Sequence, residues 1–227
     1  MNYTASEENY IKAIYHLQEE GGTVNTNAVA EKLATKAASV TDMMKKLSAK
    51  KLLNYRPYYG FTLSSEGKKA ALFIIRRHRL WEYFLSQKLG FEWEEVHYLA
   101  EELEHISSKV LIDRLDEFLG FPPFDPHGDP IPDNKGRIAV RNNLPLFLLP
   151  KNKPGIVCQV TNQSAEMLEL LKHKNIGIGT RLEVKKHFPF DQSIELKIKR
   201  QTVTISEQLA KNIFVTYDEI TNRRFPE

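Results

Sequence analysis

The stretch from Asn27 to Leu63, NAVAEKLATKAASVTDMMKKLSAKKLLNYRPYYGFTL, decides the fold. Asn27 offers a side-chain oxygen to cap a brief helix through Ala30 and Leu33, and a tight link, Thr35 to Ala38, follows. Ser39-Val40-Thr41-Asp42 has the Ser-x-x-Asp form of a helix start. Its continuation to Lys51 puts Val40, Met43, Met44 and Leu47 on one face and Thr41, Asp42, Lys45, Lys46 and Lys50 on the others. That is helix, tight turn, helix. Leu53 to Leu63 then alternates in strand fashion around a Pro/Gly turn and predicts a small hairpin, which in this position is a wing.

Upstream, residues 5 to 20 form an amphipathic helix, with Tyr10, Ile11, Ile14, Tyr15 and Leu17 at helical spacing, closed by Gly21-Gly22. Downstream, helices are predicted over 64 to 90, 93 to 107 and 108 to 119, until Phe121 to Pro132 breaks into a loop with five prolines. Past about residue 144 the texture becomes β-rich: Ile156 to Thr161, Arg181 to Phe188, Ile194 to Lys199, Thr202 to Ile205 and Ile213 to Tyr217, with Gln163 to Lys174 as an intervening helix. Several short strands in so little chain predict a small barrel.

With 227 residues, 41% hydrophobic and 27% charged, the chain has ordinary globular composition. Its apolar runs fall far short of the roughly 20 residues that cross a bilayer, and no signal peptide is evident. Cys158, the single cysteine, cannot form an internal disulfide. A reducing cytoplasm is the expected compartment. The net charge of +3 hides an uneven distribution. Residues 1 to 80 hold 13 Lys and Arg against 7 Asp and Glu, whereas residues 81 to 125 hold 3 against 11. A basic segment built of short helices points to a polyanion, and an acidic one to cations or a solvated face.

A helix fits the major groove, where its polar residues reach base edges while Lys and Arg meet phosphates. Ser39, Thr41 and Asp42 are the candidate base readers, and Lys36, Lys45, Lys46 and Arg56 the candidate backbone contacts. The bland alternative is a winged helix used for protein contacts. In the acidic middle, His97, Glu101, Glu104 and His105 stand at i, i+4, i+7 and i+8, on one helical face, with no Lys or Arg among them. His78 and Glu82 repeat the i, i+4 pattern on the preceding helix. Aligned carboxylates repel without a cation, so the six residues read as a metal site; the alternative is a wet helix face. Imidazole and carboxylate donors without thiolate suit Mn(II) or Fe(II), though Zn(II), Co(II) and Ni(II) would bind some of the same atoms. His16, His173 and His187 read as ordinary polar residues, Cys158 as a small core residue, and His127 as fixing a turn in Asp125-Pro126-His127-Gly128-Asp129-Pro130, with a ligand role as the alternative.

Several segments together resemble one family: Glu8 to Tyr15, Ala38-Ser39-Val40-Thr41 through Leu47, Arg77-His78-Arg79-Leu80-Trp81-Glu82, Val96-His97, Glu104-His105, and Pro126 to Pro132. They are similar to the metal-dependent repressors typified by the diphtheria toxin repressor and the manganese transport regulator, over nearly the whole chain. The resemblance implies a multidomain, mainly α architecture: a winged helix-turn-helix at 1–74, a helical metal-binding and dimerization domain at 75–143, and a small SH3-like, FeoA-like β-barrel at 144–227. It implies one metal site from Asn9 with Glu101, Glu104 and His105. An ancillary site follows from His78, Glu82 and His97, completed by Gln163 and Glu166. Glu101 stands where the iron-responsive branch has cysteine, and a hard carboxylate there suits Mn(II), with Fe(II) as the alternative. Lys12, where the manganese branch has an acid, cannot ligate.

The expected function is a homodimeric, cytoplasmic, metal-dependent repressor of metal-homeostasis genes, binding a palindromic operator in double-stranded DNA without a membrane or small-molecule partner. Two rivals remain. A Mn or Fe enzyme would need an open coordination position and a general base, and the sequence lacks His-Glu-x-x-His, Gly-x-Ser-x-Gly and a phosphate-cradling glycine loop. A winged-helix regulator whose DNA binding ignores metal is the other.

Overall fold

The computed structural model describes residues 3–21, 24–56 and 60–217, and all of their side chains but those of Tyr55, Arg56 and Glu94. The chain divides into two compact units, one of Met1–Trp81, Glu101–Phe121 and Pro132–Ile138, the other of Glu82–Ala100, Pro122–Ile131 and Ala139–Glu227.

The first unit contains α1 (Ala5–Glu19), α2 (Thr26–Lys32), α3 (Ala37–Ala49), the antiparallel pair β1 (Leu53–Arg56) and β2 (Gly60–Leu63), the start of α4 (Ser65–Leu89), the end of α5 (Trp93–Leu103), and α6 (Lys109–Leu119). The wing is therefore present, paired Leu53 to Leu63 and Arg56 to Gly60, while its Pro57–Tyr59 turn lies outside the described residues, as does Gly22. Ile11, Ile14, Val29, Val40, Met44, Leu47, Leu52 and Ile74 form its core. Burying such side chains contributes about 1.5–3 kcal/mol each and fixes which face each helix turns inward.

Three local expectations need correction. Asn25, not Asn27, caps α2, its side chain accepting from the Ala28 N–H at 2.9 Å; Asn27 is an exposed helical residue. Ser39 does not begin α3, which starts at Ala37 behind Lys36 with no side-chain cap, because the good helix formers Ala37 and Ala38 carry the helix upstream. And α5 stops at Leu103, so Glu104 and His105 lie in a turn beyond its end; the residues that follow lead to Ser108, which caps α6 through the Leu111 N–H.

The second unit is built on a six-stranded antiparallel sheet ordered β3 (Leu144–Pro145), β8 (Ile213–Thr216), β4 (Pro154–Val160), β5 (Arg181–His187), β6 (Ile194–Ile198) and β7 (Gln201–Ile205). Register shifts between Val157 and Gln159 and between Val184 and Lys186 increase the twist that lets so small a sheet coil. The helices α7 (Ala165–His173) and α8 (Glu207–Lys211) accompany it, and Leu146, Val160, Leu168, Leu171, Val184, Leu196 and Val215 fill the interior. Cys158 is buried in β4, as expected of a core residue. No helix among the described residues is long and apolar enough to cross a membrane.

The start of α1 is held by a capping box: Glu7 N–H donates to Thr4 Oγ1 at 3.3 Å and Thr4 N–H to Glu7 Oε2 at 2.9 Å. The other carboxylate oxygen of this fully buried residue receives Lys50 Nζ at 2.6 Å and Lys46 Nζ at 3.1 Å, tying α1 to the end of α3. Burial pushes the Glu7 carboxyl up, but Lys50, the Thr4 backbone and Lys46 together hold it down at about 2. Glu7→Gln is expected to cost about 2 kcal/mol at neutral pH, read from urea unfolding. Because the folded value of about 2 lies below the ordinary 4.5, this stabilisation is complete above about pH 4.5 and is lost as pH falls toward 2. The gap between wild type and variant is expected to close over that interval.

Candidate functional site

The exposed side of α3 carries the expected nucleic-acid contacts. Lys36, Ser39, Thr41, Asp42 and Lys45 are all exposed. Thr41 Oγ1 donates to the Ala37 carbonyl at 3.0 Å, and Lys45 reaches Asp42 at 3.4 Å between two side chains at 74% and 80% exposure, a pair that DNA can replace easily. Lys46 is different, since Glu7 draws its ammonium inward. The Arg56 side chain lies outside the described residues.

In the second unit, the prolyl loop after α6 is sewn onto β4. Asp125 Oδ1 accepts from the backbone N–H groups of His127 and Asp129, both at 2.9 Å, which closes the turn. Val160 N–H donates to the His127 carbonyl at 2.9 Å, and the Asp129 carboxylate takes Gln159 Nε2 at 2.7 Å and Gln163 Nε2 at 2.9 Å. Gly128 stands at φ +86, where a Cβ would lie 1.9 Å from the Cys158 carbonyl oxygen, so only glycine lets the loop approach this closely.

That loop places His127 and Asp125 beside Glu82 of α4. The ligand-type atoms of Glu82, Asp125 and His127 lie within 4.8 Å of one another, and all three residues are buried. His127 Nε2 sits 3.1 Å from the Trp93 carbonyl, which can only accept, so Nε2 carries a proton and in the neutral ring the lone pair lies on Nδ1. Nδ1 lies 3.9 Å from Glu82 Oε1 and has no hydrogen-bond partner among the described residues. His97 Nδ1 reaches the same Glu82 oxygen at 3.1 Å from a partly exposed position. Two buried carboxylates beside an imidazole whose tautomer is fixed by a backbone carbonyl fit a divalent cation: the charge is compensated and the lone pair used. Among the described residues no cysteine joins this set, which keeps it hard.

The first unit shows a different arrangement. Lys12, on α1, brings Nζ to 2.6 Å from Glu101 Oε1 and to 2.8 Å from both oxygens of Glu104. His78 Nδ1 approaches Glu104 Oε2 at 2.7 Å. Burial pushes the Glu104 carboxyl up, but His78 and Lys12 outweigh it and hold it below the ordinary carboxylate range. One turn before Lys12, Glu8 receives Arg77 at 2.6 Å and His105 Nδ1 at 2.8 Å. Asn9 Oδ1 is buried with no hydrogen-bond partner among the described residues.

The expected single face of His97, Glu101, Glu104 and His105 is thus corrected. The helix ends too early to hold it: His97 meets Glu82, Glu101 and Glu104 share Lys12, and His105 meets Glu8. Nor do the two carboxylates lack a cation, since Lys12 arrives from α1. Gln163 bonds Asp129, and Glu166 is exposed in the first turn of α7. The sequence reading assigned His127 to a turn and left Asp125 aside; the Asp-x-His spacing inside a Pro/Gly loop was the available signal.

Comparison with known proteins gives three consecutive matches. Residues 2–61 match the family described as "Iron dependent repressor, N-terminal DNA binding domain", residues 64–133 "Iron dependent repressor, metal binding and dimerisation domain", and residues 144–217 "FeoA domain". The chain is 34% identical over 220 residues to the iron-dependent repressor IdeR of Mycobacterium leprae, spanning 92% of this chain and 95% of that protein. It is 38% identical over 118 residues to the HTH-type transcriptional regulator MntR of Bacillus subtilis, spanning 52% of this chain and 82% of that one. Among solved structures it is similar to a manganese-dependent transcriptional repressor in complex with manganese, with a TM-score of 0.84 at 33% identity, covering 93% of this chain and 99% of that chain. A structure of ScaR with bound Cd2+ gives a TM-score of 0.80 at 29% identity, with coverage of 93% and 99%.

Gly128→Ala forces a Cβ into the Cys158 carbonyl from a positive φ, so it is expected to destabilise the protein by about 2 kcal/mol or more, measured by thermal or denaturant unfolding. Gly179→Ala, also at positive φ but facing open space, is the control and is expected to cost less.

Proposed function

The chain belongs to the iron-dependent repressor family, and from that premise we propose that it is a homodimeric, metal-activated repressor of metal-homeostasis genes that binds double-stranded DNA. The observation that carries this reading is the buried trio Glu82, Asp125 and His127, whose hard donor atoms lie within 4.8 Å of one another, in a chain that also exposes the polar side of α3. Mn(II) is the proposed effector, with Fe(II) as the alternative, because the donors are imidazoles, carboxylates and one amide oxygen, with no thiolate. We assign Glu82, His97, Asp125 and His127 to hold it, with His78, Glu101, Glu104, His105 and Asn9 as the residues of a further site. When bound, the cation supplies the charge that lets buried acids stay ionised.

The chain's own residues do the positioning. Trp93 fixes the His127 tautomer, and Asp129, held by Gln159 and Gln163, keeps the loop on β4. The matches at 2–61, 64–133 and 144–217 support domains at 1–74, 75–143 and 144–227. Dimerization draws support from α6, where Val110, Leu111 and Phe118 are exposed at 73%, 41% and 65%, while Leu115 and Leu119 turn inward. A two-fold dimer suits a palindromic operator. Relatives named as an iron-dependent repressor and a transcriptional regulator support a regulator rather than an enzyme, working in the cytoplasm where its DNA is.

The test is anaerobic binding of the purified protein to its own promoter DNA, titrated separately with Mn(II), Fe(II) and Zn(II). Chelator is expected to weaken binding and one metal to restore it, by a factor of about 5 to 150. His127→Ala and Glu82→Gln are expected to lose that response. Tight binding indifferent to chelator overturns the reading. On metal-loaded protein, Lys36→Ala and Lys45→Ala should each weaken binding uniformly across sequences and lower the slope of log affinity against log salt by about 1. Ser39→Ala should instead change base preference.

A further inference from the structure

We propose that Lys12 is a tethered cation that competes with divalent metal for the carboxylates of Glu101 and Glu104. This rests on the metal-activated reading only in requiring that a divalent ion reach those oxygens.

One ammonium contacts three carboxylate oxygens, at 2.6, 2.8 and 2.8 Å. Glu104 has no exposed side-chain surface, so its charge needs a partner out of water, and Lys12 at 12% exposure supplies it. A hard divalent ion would use the same lone pairs at about 2.0–2.6 Å, and a second positive charge beside it would be repelled strongly away from solvent. Ammonium and metal therefore exclude each other at these oxygens.

The donors left when Lys12 withdraws are those a metal takes. His105 Nδ1 faces the Glu8 carboxylate, which only accepts, so in the neutral ring the lone pair lies on Nε2. Asn9, three residues before Lys12 on the same helix, holds a buried carbonyl oxygen with no hydrogen-bond partner among the described residues. Glu101, at 37% exposure, forms the rim across which the flexible lysine stem can swing to water without α1 moving. Lys12 thereby sets the metal concentration at which this second site fills, above that of a site with no internal cation.

The test counts Mn(II) bound per chain, from the electron paramagnetic resonance signal of free Mn(II), in a His127→Ala background that silences the Glu82 site. Lys12→Met and the gentler Lys12→Gln, which keeps a donor for the carboxylates, are expected to bind Mn(II) about tenfold more tightly or better than the background protein. In chelator the Lys12→Met protein should melt below the background protein, because Glu101 and Glu104 have lost their cation, and Mn(II) should restore it. Unchanged Mn(II) affinity in both variants overturns the proposal, as does a melting loss that is equal with and without Mn(II), the mark of a lysine that only packs. Promoter binding by the wild-type protein is scored separately: chelator-indifferent binding there overturns the functional reading while the Mn(II) titration still decides the role of Lys12.

Discussion

A carboxylate removed from water must be given a positive charge, and the fold is arranged around that requirement. Glu7, Glu8, Glu82, Glu104 and Asp125 are all buried acids. Three of them receive cationic side chains brought from other segments, lysines of α3 on Glu7, Arg77 on Glu8 and Lys12 on Glu104, while Glu82 lies beside the imidazoles of His97 and His127. Breaking a buried pair of this kind costs about 3–5 kcal/mol, a large share of the stability of any domain. The charged network therefore fixes where α1 lies as firmly as the apolar core does.

The two sets of candidate ligands meet this requirement in opposite ways. Around Glu101 and Glu104 the protein supplies its own ammonium, so part of that charge is offset without any ion. Around Glu82, Asp125 and His127 two imidazoles approach, His97 and His127, and the proton of the latter is fixed on Nε2 by the Trp93 carbonyl. In the proposed scheme a centre of that kind takes a metal directly, whereas one carrying a lysine must first give the lysine up, so that a single chain would respond to two concentrations of the same ion.

Much of the fold was legible because it rests on short-range patterns. The spacing of Ile11 and Ile14, of Val40, Met44 and Leu47, and the strand alternation around Gly60 each reflect which face is buried, and the structure buries those faces. The expectation failed where two local signals competed. Ser39 and Asp42 match a helix start, yet Ala37 and Ala38 extend the helix past them and turn both side chains to solvent. For His97 to His105, a helical wheel presumes an unbroken helix, and the chain leaves it after Leu103.

The sequence by itself determined the helix-turn-helix and its wing, the β-rich C-terminal part, and the ligand types that make hard-metal chemistry possible, because each is set by residues within a few positions of one another. Only the tertiary structure decided which acids share a cation. Lys12 and Glu104 are 92 residues apart, as Glu82 and His127 are 45 apart, and no periodicity links them. Electrostatic pairing acts through space at a few ångströms, so which carboxylate receives an ammonium and which lies beside an imidazole is settled when the chain closes on itself.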